Sequence, residues 1–322
     1  MSVFRPLEAV LGGLMIGVAS GLYMLLAGRI AGNSGALKAL VLGERGVKLG
    51  YLFGLAGAGA CMSFALPQAF DPAPQLSLAL CAAGLAMGLG ATLANGCTSG
   101  HGLCGLSRLS RRSLAAVPTF MASGMVSATL SVGLSRGSFR VGAMAPVAPA
   151  DPQAVHIAAT ASVALACALI PIVLMQRSAW RDALVSVWAG FCFGVGLAVG
   201  GMVRPAVVQG ALSPQRMDLT LWVLFCTALA TTFVIYRVAE HVAGVSEAVA
   251  PAGCKIDRKL LCGAALFGIG WGSSGFCHGP LIVTVATLPV NGAGTYAFLL
   301  ATVAGVFLGE QFTRKAPTAV SK

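Results

Sequence analysis

The chain has 322 residues, 57% of them hydrophobic and only 10% charged, with a mean hydropathy of +0.85. Soluble domains carry about 25% charged residues, so a soluble globular protein is excluded. The net charge of +11 does not mark a nucleic-acid partner. The basic residues sit in short loops between apolar runs, where membrane topology puts them.

Apolar runs near the ~20 residues that cross a bilayer recur from end to end. The expected fold is an all-α polytopic membrane protein, one integral domain over 1–322. About nine transmembrane helices are expected, at roughly 7–27, 47–66, 76–95, 113–133, 154–175, 183–202, 219–239, 259–275 and 290–309. The first run follows Arg5 and lacks a small-residue cleavage site before a soluble region, so it reads as a retained helix rather than a signal peptide. Between spans, the stretches 28–46 (with Asn33, Ser34 and Gly35), 96–110, 203–217 and 276–289 read as re-entrant helical loops. With the N-terminus periplasmic, sixteen of the 21 Lys and Arg fall on the cytoplasmic side. Only Arg5, Arg136, Arg140, Arg204 and Arg216 face out. Nine spans then place the C-terminus in the cytoplasm of a multi-pass inner-membrane protein.

An internal repeat runs through this pattern. Gly13-x3-Gly17-Val18 recurs as Gly190-x3-Gly194-Val195, and Gly88-x-Gly90 followed by Cys97 recurs as Gly268-x-Gly270 followed by Cys277. The first repeat spans 1–135 and the second 180–312, joined by a connecting helix within 154–178. An odd connector inverts the second copy, giving an inverted-topology repeat of the kind used by many transport folds. Both cysteine loops then enter from opposite sides and bring Cys97 and Cys277 together near the midplane.

Six of the ten cysteines (Cys61, Cys81, Cys167, Cys192, Cys226 and Cys262) lie inside apolar runs and read as small hydrophobes. Cys97 and Cys277 sit instead where a span breaks. Asn95-Gly96-Cys97-Thr98-Ser99-Gly100-His101 is too polar for a lipid-facing helix, and Gly275-Phe276-Cys277-His278-Gly279-Pro280 repeats the theme. Thr98, Ser99 and Ser107 suit helix caps, and Pro280 suits the first position of a restarting helix. Non-helical backbone at membrane depth persists only where it is buried in protein or lines a cavity. Helix starts offer free N–H groups and the positive end of the dipole, so two starts facing each other would hold a small anion without a fixed cation. A thiol is a soft, weak donor suited to a sulfur atom.

These residues carry a family resemblance. The stretch 95–110, Asn-Gly-Cys-Thr-Ser-Gly-His-Gly-Leu-Cys-Gly-Leu-Ser-Arg-Leu-Ser, resembles the signature of the YeeE/YedE sulfur-transport family. Gly28 to Gly35 resembles that family's first-loop motif and Gly275 to Pro280 its second cysteine motif. The resemblance implies an hourglass-shaped inner-membrane protein that takes up thiosulfate, or a related sulfur or selenium species, along central thiols. Carried over, the path residues are Cys97 and Cys277. Asn95, Gly96, Thr98, Ser99, Gly100, His101, Gly275, His278, Asn33 and Ser34 support them. The partners expected are the small sulfur anion, the lipid bilayer and a cytoplasmic sulfur-carrier or rhodanese-like protein. No catalytic residue, resident metal or cofactor is expected. The alternative from another class is a membrane protein in which these cysteines bind a metal or a persulfide rather than conduct.

Overall fold

A computed structural model describes residues 4–44, 46–136, 144–243, 255–287 and 292–314. Arg45, Arg140, Cys254, Lys315 and Lys322 lie outside the described residues. The described chain is helical, as the composition requires. Its long helices are α1 (Pro6–Ala27), α3 (Val47–Ala65), α4 (Leu78–Ala94), α5 (Arg111–Arg136), α6 (Pro152–Leu174), α7 (Ala179–Val199), α9 (Thr220–Ala243), α10 (Arg258–Ser274) and α12 (Ala293–Arg314). Short ones interleave: α2 (Asn33–Val41), α8 (Pro205–Leu212), α11 (His278–Val285) and a π-helical segment, Thr98–Gly105. Seven of the described helices are by themselves long and apolar enough to cross a membrane. α4 with the π segment, and α10 with α11, pass as bent pairs and bring the count to nine.

Local chemistry sets the boundaries. Ser77, Asp151, Ser178 and Asp257 cap α4, α6, α7 and α10, each side chain accepting a hydrogen bond from a first-turn N–H. The Ser178 cap explains why α7 begins four residues before the expected 183. α4 ends at Asn95, held left-handed at φ 57°, and α10 ends at Gly275, at φ 75°. These left-handed stops turn the chain by 43° into the π segment and by 45° into α11.

The order long, short, long, long, short, long occurs twice, as α1–α5 with the π segment and again as α7–α12, with α6 between. The two halves interlock rather than sit side by side. α1 packs on α7 and α9, α3 on α7, α4 on α10 and α12, and α5 on α10. Exchanging the halves maps α1·α9 onto α7·α3, and α4·α12 onto α10·α5, so the same helix pairs meet in both arrangements. Small residues make these crossings close, as association in lipid favours: Gly12 and Gly196 meet across α1 and α7, where an added Cβ on Gly12 would stand 2.5 Å from the Gly196 carbonyl oxygen. α6 lies outside this arrangement, its apolar surface mostly uncovered. Met24, Met62 and Met87 are all buried packing residues.

Candidate functional site

Three short helices start at one place in the interior. Cys97 precedes the π segment, Cys277 precedes α11, and Asn33 opens α2. Cys97 and Cys277 are 0% and 1% exposed, each at the residue before one of these short helices. The Thr98 hydroxyl lies 2.9 Å from the Cys277 sulfur, and the Ser99 hydroxyl 3.3 Å from the Cys97 sulfur. Ser99 Oγ also accepts the Asn33 backbone N–H at 3.1 Å, which leaves its own hydrogen free for Cys97. The side chains of Thr98 and Ser99 therefore do not cap their own helix, as their type suggested. Ser99 instead satisfies the start of α2. Ser107 caps nothing either; its hydroxyl is buried without a hydrogen-bond partner among the described residues. Pro280 is the third residue of α11, not the first, because His278 and Gly279 already have helical geometry.

Two cavities adjoin this meeting point, and Cys277 lines the smaller. The larger, of about 290 Å³, is lined by Ser34, Asn95, Gly96, Gly100, His101 and His278, with Lys38, Lys48, Arg108 and Arg112 among its walls. The smaller, of about 40 Å³, is lined by Asn33, Thr98, Ser99 and Cys277 with apolar neighbours such as Phe193, Met202 and Phe225. Adjacent residues of one chain segment thus face different spaces: Ser34 and His278 the large vestibule, Asn33 and Cys277 the small void. The vestibule's cations are partly neutralised. Lys38 pairs with Glu310 and Lys48 with Glu44, and the Lys48 hydrogen bond holds the Glu44 carboxyl below its usual range. Arg108 donates to the Cys104 carbonyl at 3.0 Å and Arg112 to the Lys255 carbonyl.

Most of the residues named from sequence converge here, with two exceptions. His101 lines the vestibule, yet its ring is engaged by Ser113 Oγ at 3.0 Å and by the Ala94 carbonyl at 3.1 Å, where it ties the break to α4 and α5. Gly275 stands at the start of α8, against the Pro205 backbone, and shapes the turn rather than the cavity. Cys104 is buried apart from the pair, its thiol 3.6 Å from the Ala31 carbonyl. Sequence reasoning missed Tyr51, whose hydroxyl donates to Asn33 Oδ1 at 3.0 Å and whose ring stacks on Tyr23. A lone hydroxylated aromatic inside an otherwise apolar span was the available signal. Among the described residues no three His, Cys, Asp or Glu side chains form a cluster able to hold a metal ion.

Residues 182–320 match a family described as "Family of unknown function (DUF6691)". Two proteins of Xylella fastidiosa strain 9a5c, each named "Probable transporter", are 37% identical over 126 residues and 32% identical over 133. Those alignments take in 37% and 39% of this chain but 90% and 88% of the relatives. A protein of the same name from strain Temecula1 is also 37% identical, over 90% of its length. The chain belongs to the family of these transporters. Each relative is matched over most of its own length by little more than a third of this chain.

Proposed function

We propose that this protein conducts thiosulfate, or a closely related small sulfur-containing anion, across the bacterial inner membrane into the cytoplasm. The observation that carries the reading is the thiol pair itself. Cys97 and Cys277 are buried where helix starts meet, and the residues beside them line a cationic vestibule on one hand and a small void on the other. Free N–H groups at helix starts attract an anion, and hydroxyls and thiols hold it weakly enough to let it go, as conduction requires. A soft sulfur atom is passed by soft donors. The lysines and arginines that line the vestibule support a cytoplasmic position for it under the positive-inside rule. The N-terminus is then periplasmic and the second half inverted relative to the first. The vestibule is also the face on which a cytoplasmic sulfur-carrier or rhodanese-like protein would receive the ion.

The test is growth of a host lacking its own sulfate and thiosulfate uptake, with thiosulfate as sole sulfur source. Wild type restores growth. Cys97→Ala and Cys277→Ala each abolish it at equal protein in the membrane. A dehydrated anion that loses a partner at membrane depth pays at least ~3 kcal/mol, which is about a hundredfold in rate. Cys→Ser at either position keeps a donor but substitutes hard oxygen for soft sulfur, so partial activity means hydrogen bonding dominates and none means sulfur contact does. Alanine variants growing at the wild-type rate refute the thiol path.

A further inference from the structure

His278 is 0% exposed, and neither ring nitrogen has a hydrogen-bond partner among the described residues. Its ring stacks on Phe267, with centroids 5.9 Å apart and planes 15° from parallel, which fixes its orientation without using its polar edge. It nonetheless lines the vestibule and directly follows Cys277 in the chain. An imidazole in either neutral tautomer carries one N–H donor and one acceptor. Burying both without partners is costly, and native interiors rarely leave such groups unsatisfied. The contrast with His101 is direct, since that ring has both nitrogens engaged by protein atoms.

Resting on the transport reading above, we infer that the passing ion is recognised at its two chemically different ends. The Cys97–Cys277 pair takes the soft terminal sulfur, and His278, at the first position of α11 on the vestibule side, donates to the oxygens of the sulfonate-like end. The substrate class is then an anion with a thiolate-like sulfur and an oxyanion group on the same molecule. An all-oxygen or all-sulfur ion satisfies only half of the site. Held this way, the ion points its oxygens toward the vestibule cations as it leaves the thiols.

The experiment is radiolabelled thiosulfate uptake into proteoliposomes with the full chain, with thiocyanate, an anion with a soft sulfur end and no oxygen, as competitor. His278→Ala is expected to raise KM for thiosulfate ten- to hundredfold, the worth of one hydrogen bond to a charged group. The inhibition constant of thiocyanate should stay within about twofold of wild type, because that ion makes no use of the imidazole. His278→Gln, which keeps a donor at similar reach, should recover part of the loss and covers the case in which the alanine variant fails to insert. An unchanged KM in both variants overturns the inference. So does a thiocyanate constant that rises in parallel, which marks a general distortion, or thiocyanate that fails to compete in the wild type. A wild-type protein that takes up no thiosulfate refutes the transport reading itself.

Discussion

Replacing Gly12 by alanine tests whether the two halves are locked by backbone contact. The new Cβ would lie 2.5 Å from the Gly196 carbonyl oxygen and 2.6 Å from both the Gly200 Cα and N. Ordinary non-bonded carbon contacts lie near ~3.5 Å, so α1 and α7 must part by about 1 Å. Every atom met is backbone on the facing helix, and no rotamer relieves it. Overpacking of this kind costs about 1–3 kcal/mol, with the upper end expected here, against which alanine's better helix propensity returns ~1 kcal/mol. The control is Gly57→Ala, on α3, whose Cβ would touch only the Phe191 ring at 3.6 Å. That variant should be neutral or slightly stabilising. In a detergent melting assay the Gly12 variant should lose about 2–8 °C in its apparent midpoint and the Gly57 variant nothing. Because Ile16 and Leu197 of the same crossing border the small void beside Cys277, uptake should fall along with stability. A Gly12→Ala protein as stable as wild type refutes the close crossing of α1 and α7.

Two further outcomes follow from the vestibule. In a cysteine-less background, a single cysteine at Leu109, which is exposed at 60%, should resist membrane-impermeant maleimide in intact cells and react once the membrane is opened; labelling from outside reverses the topology. Arg111 is exposed and Arg112 lines the vestibule: Arg111→Gln should leave uptake unchanged, while Arg112→Gln should slow it at low ionic strength by an amount that fades toward 1 M salt, where the Debye length is ~3 Å. A salt-independent loss rejects steering by Arg112.

Seven spans were legible because each is an apolar run of membrane length, and the two bent ones because Gly, Ser, Thr and Cys interrupt their runs at Asn95–Gly100 and Gly272–Gly279. What was hidden depends on partners distant in sequence. Arg181 counts as one more loop cation, yet it is 6% exposed and donates to the Leu26 carbonyl at 3.2 Å, answering an orphan acceptor at the end of α1. Glu8 looks out of place in an apolar helix until the Asp151 N–H is found on it at 2.7 Å, with Arg5 beside it. The bond from Tyr51 to Asn33 joins residues eighteen apart on different helices. Nor did the twin glycine motifs show that helices from the two halves of the chain would pack against each other.

That interlocking predicts the behaviour of a divided chain. Every major helix crossing joins residues of one half to residues of the other, and Cys97 comes from the first half while Cys277 comes from the second. Neither half alone has a complete site, and the tight glycine faces of α1, α3 and α4 would lack the helices they fit. The relatives give this a physical precedent in size: 126 residues are 90% of one of them, so a chain of about 140 residues has material for one half. Cutting this protein between Ala143 and Met144 leaves all the crossings intact in principle and removes one covalent link. Co-expressed, 1–143 and 144–322 should co-purify and restore thiosulfate-dependent growth. Expressed singly, each should be degraded or inactive. The link contributes only effective concentration, roughly millimolar for a short connection, and the buried crossings must supply the rest. A first half that accumulates alone and ignores the second would show that each repeat folds on its own face, and the interlocked packing would then be wrong.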